Sequence, residues 1–187
     1  MRRFLAGLIV GFFLVPLGLF FYFLSGMAPV STASRPMAFE KMLAHRALEA
    51  HIEKEAPKNA PIQPDQASYE AGAQVYREHC GVCHGYATGT QTAIAKGMFP
   101  KPPRLLQGTG VTDDEPGETY WKVANGIRLT GMPGFRQSLS ETQMWQVSLL
   151  LANADKLPDT VKQGLTAESQ AQNTSSVSPP APAAPYR

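Results

Sequence analysis

Cys80-Gly81-Val82-Cys83-His84 constrains this chain more than any other stretch. Two thiols three positions apart with a histidine directly after them have the spacing of c-type haem attachment. The chemistry asks for that spacing. Each S–H adds across one vinyl group of the porphyrin, and the adjacent imidazole then falls beneath the ring, within reach of the iron. The chain has only 2 cysteines, so none is left for a structural disulfide. Other uses of a cysteine pair meet obstacles. Zinc takes four ligands, and His45, His51 and His79 repeat no metal spacing. A redox dithiol wants its nucleophile at a helix N-terminus, where the dipole lowers the thiol pKa. Here the pair closes a helical pattern, and the dipole opposes a thiolate. One covalent haem c per chain is the expectation.

Around that motif the 187 residues read as four segments. Residues 1–27 hold Arg2-Arg3 and an uncharged apolar run, Phe4 to Leu24. At ~1.5 Å per residue a helix of that length crosses a bilayer core of ~30 Å. Gly11, Pro16 and Gly18 are tolerated in such helices. The leading arginines place the N-terminus in the cytoplasm and the rest outside. A cleaved signal peptide is the competing reading, with Ser31-Thr32-Ala33 as a small-residue site, but the apolar run exceeds a signal core. Residues 28–64 are a stalk. In it Phe39, Leu43, Leu48 and Ile52 give a thin apolar face to a helix over 37–55, near the membrane or against the domain, before Pro57, Pro61 and Pro64 end it.

Residues 65–158 form the compact domain. A first helix near 68–79 leads into Cys80, and a long loop over 85–110, rich in Gly, Pro and Thr, needs something to fill it. Thr112-x-x-Glu115 reads as a capping box for a helix through Tyr120, Trp121 and Val123, ending at Asn125-Gly126. Ser140-x-x-Gln143 caps a last helix with Met144, Trp145, Val147 and Leu149 to Leu151 on it. Residues 159–187, dominated by Ser, Gln, Ala and Pro, should form a tail that does not pack.

With these pieces in place, residues 65–158 resemble the class I, single-haem cytochrome c domain, about half the chain. Gly72 and Tyr76 match the first-helix glycine and aromatic of that family. Pro103-Arg104-Leu105 sits at its Pro-x-Leu, Gly131-Met132-Pro133-Gly134-Phe135 matches its methionine loop, and Trp145 falls on the C-terminal helix that crosses the first. The resemblance implies a small all-α fold around one covalent haem, here with an N-terminal transmembrane helix. It implies His84 and Met132 as iron ligands, with the Pro103 carbonyl accepting a hydrogen bond from His84 Nδ1–H and fixing the tautomer. Met98 is a second candidate sulfur, or a pocket-lining residue; Met144 reads as core. The Trp121 indole and the Arg104 guanidinium are candidates for a haem propionate, with core packing the plainer reading of Trp121.

A six-coordinate iron leaves no vacancy for substrate, which points to an electron carrier rather than an enzyme. The expected setting is the inner membrane, single-pass, with the haem domain in the periplasm. Its partners there would be membrane-bound redox donor and acceptor proteins, and the lipid bilayer through the N-terminal helix. A net charge of +2 gives no case for nucleic acid. Lys96, Lys101, Arg104, Arg128 and Arg136 are either a solvated mixed surface or a basic collar for an acidic partner. A permanent subunit of a larger oxidase, reductase or dehydrogenase complex is the alternative to a free carrier. A haem peroxidase or gas sensor would need a labile sixth ligand.

Overall fold

The computed structural model describes residues 1–87, 89, 91–107 and 114–166, apart from the Ala6 side chain, and no strand occurs among them. The chain divides into two units, Met1–Ala44 and His45–Arg187. In the first, α1 (Arg2–Leu24) carries Pro16 inside it. Phe4, Leu8, Phe12, Leu19 and Phe23 are all exposed. A helix apolar all round, rather than along one stripe, has no core face to bury in water. By length and composition α1 could cross a membrane. α2 (Glu40–Glu55) begins in this unit and ends in the next.

The second unit is built on a helix crossing. α3 (Gln66–Val75) opens at Asp65, whose carboxylate accepts from Ser68 N–H at 2.8 Å. A π-helical turn, Tyr76–Cys80, carries it into α4 (Gly81–His84). The last long helix, α7 (Glu141–Ala152), starts with the expected capping box of Ser140 and Gln143. α3 and α7 cross at Gly72, where a Cβ would collide with the Gln146 carbonyl and stand 3.1 Å from Leu150 Cβ. Tyr76, Trp145, Val147 and Leu150 are fully enclosed there. α6 (Pro116–Asn125) completes the core with Tyr120 stacked on Trp145, ring centroids 4.2 Å apart.

Four expectations need correction. α6 opens at Glu115 with Pro116 as its first residue, and Glu115 is therefore the cap rather than the third helical position; Thr112 lies outside the described residues. Proline presets the helical φ and has no N–H to satisfy, so the helix starts there. The long loop after His84 contains a short helix, α5 (Ala93–Gly97). Thr92 nucleates it: its hydroxyl accepts from Ala95 N–H at 3.1 Å and donates to the Val82 carbonyl at 2.6 Å, clipping the loop to α4.

The stalk is the third. Its second half packs against α6 and lies in the unit that starts at His45, not at residue 65. Ile52 and Ala56 are buried against Trp121, with Leu48 beside them. Trp121 Nε1–H donates to Glu55 Oε2 at 2.9 Å. At Gly117 the Pro57 carbonyl comes so close that any side chain would clash. The fourth is the tail. Residues 159–166 are helical (α8), with Val161 and Leu165 in the core beside Leu157, and Arg77 Nη1 donates to the Gly164 carbonyl at 3.3 Å. Val161 and Leu165 are four apart, one helix face, a pattern that the polar average of the whole tail hides. Burying each contributes roughly 1.5–3 kcal/mol. Ending the chain at Pro158 should lower the unfolding free energy by about 3 kcal/mol or more in denaturant titration, whereas ending it at Thr166 keeps both side chains.

Candidate functional site: one cavity between the motif helix and the methionine loop

A cavity of about 240 Å³ lies in the second unit. The π-turn and α4 bring Cys80, Cys83 and His84 to one wall. An extra residue in a helical turn rotates the side chains beyond it, a device frequent at functional sites. The segment after α5 supplies Met98, Pro103 and Leu105. α6 supplies Thr119, Lys122 and Val123, and the turn beyond it supplies Thr130, Gly131, Met132 and Phe135.

That last turn is folded back on the end of α6. Ile127 N–H donates to the Met132 carbonyl at 3.1 Å and Phe135 N–H to the Val123 carbonyl at 2.9 Å. The Thr130 hydroxyl donates to the Ile127 carbonyl at 2.7 Å and accepts from Met132 N–H at 3.1 Å. Gly126, at φ +69°, makes the reversal, and a Cβ on it would be 2.5 Å from Gly134 N. Met132 is thus placed on the cavity by backbone that holds itself in shape.

His84 Nδ1 lies 2.8 Å from the Pro103 carbonyl oxygen. A carbonyl only accepts, so Nδ1 carries the proton and Nε2 keeps a free lone pair. Burial lowers the His84 pKa, partly offset by this hydrogen bond, so the ring is neutral near pH 7. A neutral imidazole with one nitrogen committed to a carbonyl is ready to ligate metal through the other. Cys80 differs from a redox-active thiol: burial, then the charge of Cys83, pushes its pKa up to about 12. An activated cysteine needs the reverse. Among the described residues no group of three or more His, Cys, Asp or Glu side chains is placed to hold a metal ion.

The remaining candidates fall as follows. Met98 lines the cavity, with its Cε against Gly131; Met144 is core. Trp121 donates its indole N–H to Glu55 Oε2 and does not line the cavity, and Arg104 donates to Gln107 Oε1 at 3.1 Å. His45 pairs with Glu49 at 3.2 Å, and His51 meets Trp121 edge-on, so neither belongs to the cavity. Sequence reasoning passed over Thr119 and the Lys122–Asp114 pair, which also line it. Their signal was the helix register, because Thr119, Lys122 and Val123 share one face of α6.

Residues 67–149 match the family model described as cytochrome c oxidase, cbb3-type, subunit III. This stretch is a c-type cytochrome domain. The match takes in less than half of the chain. A solved chain from the Kuenenia stuttgartiensis reducing HAO-like protein complex is similar at 23% identity and a TM-score of 0.45, covering 52% of this chain and 48% of that one. The present chain therefore spans about half the length of that relative. No curated protein matches the sequence. A c-type cytochrome domain implies a haem c, and the cavity suits one. Its walls carry two thiols, a neutral imidazole with a free nitrogen, a thioether and otherwise mainly apolar side chains.

Proposed function

We propose that this protein is a one-electron carrier on the periplasmic side of the inner membrane, anchored by α1. Cys80 and Cys83 would hold one haem c through thioether bonds, and His84 Nε2 and Met132 Sδ would bind its iron. Bound there, the haem supplies reversible ferrous–ferric exchange. The protein orients the imidazole through Pro103, presents the sulfur from the turn on α6, and keeps water from the iron with Val123, Phe135 and Leu151. The observation that carries the reading is the gathering of Cys80, Cys83, His84 and Met132 on one cavity, with the His84–Pro103 hydrogen bond leaving Nε2 free. Arg2 and Arg3 at the start of α1 support the orientation. A tether raises the effective concentration of the domain towards membrane partners.

A second reading is favoured by the family description, which names an oxidase subunit. In it the chain is a fixed electron-transfer subunit of a larger membrane complex. Co-purification at constant stoichiometry in mild detergent supports the subunit; recovery of the chain alone supports the free carrier. The common ground of both has its own test. Protein from a host able to attach haem, denatured and extracted with acidic organic solvent, should keep its colour. The Cys80→Ala, Cys83→Ala double variant should lose it. Colourless wild-type protein would overturn both readings.

A further inference from the structure

Among the described residues, Thr119 Oγ1 is the one buried side-chain polar atom without a hydrogen-bond partner. The residue is 6% exposed and lines the cavity. Other helical hydroxyls indicate what it forgoes. Ser148 Oγ donates to the Met144 carbonyl at 2.8 Å, and Thr166 Oγ1 to the Lys162 carbonyl at 2.6 Å, each closing on the carbonyl four residues back. Thr119 makes no such bond, so its donor is left for something the cavity receives. One turn further, Lys122 lines the same cavity and donates to Asp114 Oδ2 at 2.8 Å. An ammonium has three N–H donors, and Asp114 takes one. Hydroxyl and cation stand three residues apart on one helix face.

The geometry points to Thr119 and Lys122 as the seat of a haem propionate carboxylate. This rests on the haem reading above. The strongest acceptors a haem brings are its two carboxylates, and a charged acceptor meeting a buried hydroxyl beside a cation forms the stronger class of hydrogen bond. The Met132 thioether is a weak acceptor, and one of the two lone pairs on its sulfur would go to the iron. The Trp121 indole N–H is given to Glu55, and neither Trp121 nor Arg104, which spends one donor on Gln107, lines this cavity.

The test uses full-length protein carrying haem ¹³C-labelled at its carboxylates, as wild type, Thr119→Val, Thr119→Ser and Lys122→Met. Covalent colour after denaturation is scored first; its absence from wild type would sink the haem reading itself, separately from this one. Redox-triggered infrared difference spectra then isolate the labelled carboxylate band from that of Asp114. Thr119→Val should shift the labelled band and lower the midpoint potential, because the carboxylate charge loses a compensating donor. Thr119→Ser should restore both, and Lys122→Met should move the same band. A labelled band unmoved in Thr119→Val and Lys122→Met overturns the assignment. So does a change confined to the sulfur-to-iron absorption, which would give the hydroxyl to Met132.

Discussion

Met132→Ala should leave the haem attached and strip the sulfur from its iron. The proposed thioether bonds to Cys80 and Cys83 would not involve Met132, so colour after denaturation should persist. The sulfur-to-iron absorption band should vanish, and the midpoint potential should fall by a substantial part of the ~0.8 V over which axial ligands set haem potentials. A thioether favours ferrous iron, and water or a nitrogen donor in its place favours it less. The reduced variant should also bind carbon monoxide, which the wild type with both positions filled should refuse. Carbon monoxide binding by the wild type at neutral pH would instead favour a gas-sensing or peroxidase site. Met144→Leu is the control, since Met144 is 3% exposed in the core and does not line the cavity. If the band survives in Met132→Ala and disappears in Met98→Ala, the ligand is Met98, the other thioether on the cavity wall.

Gly72→Val should destabilise the domain by about 3 kcal/mol or more. The obstacle at Gly72 is backbone: besides the Gln146 oxygen, its carbonyl carbon would lie 2.7 Å from a Cβ. Main chain in the middle of α7 cannot rotate away as a side chain would, so α3 and α7 must separate and loosen the layer of Tyr76, Val147 and Leu150. For a domain of this size that corresponds to a fall in Tm of roughly 10–20 °C. Gly97→Ala gives the comparison, because nothing lies within 4 Å of a Cβ there. An unchanged Tm in Gly72→Val would mean that the helices do not meet at this point.

The parts of the fold legible in the sequence were those written locally. The capping box at Ser140 needs only residues three apart, and it is present. The motif was legible in its own spacing, Pro103 and Met132 were placed by resemblance, and Cys80, Cys83, His84, Pro103 and Met132 all line one cavity. The rest depends on partners far apart in the chain, about which periodicity carries no information. Trp121 finds Glu55 across 66 positions, and Arg77 finds Gly164 across 87. An indole N–H that needs an acceptor is equally suited to a propionate or to a glutamate; only the tertiary fold chooses. The helix over 159–166 was obscured by composition, two apolar residues among many polar ones. Thr119 was silent because an unpaired hydroxyl looks the same in sequence as one bonded to its own helix.

The crossing of α3 with α7 also dictates an order of events. A chain is made from its N-terminus, and α7 therefore arrives after the thiols. Until Trp145 reaches Tyr120 and Leu151 takes its place in the wall, nothing can close over Cys80 and Cys83. Docking of α7 is thus the late step, the latch that closes the cavity wall over both thiols.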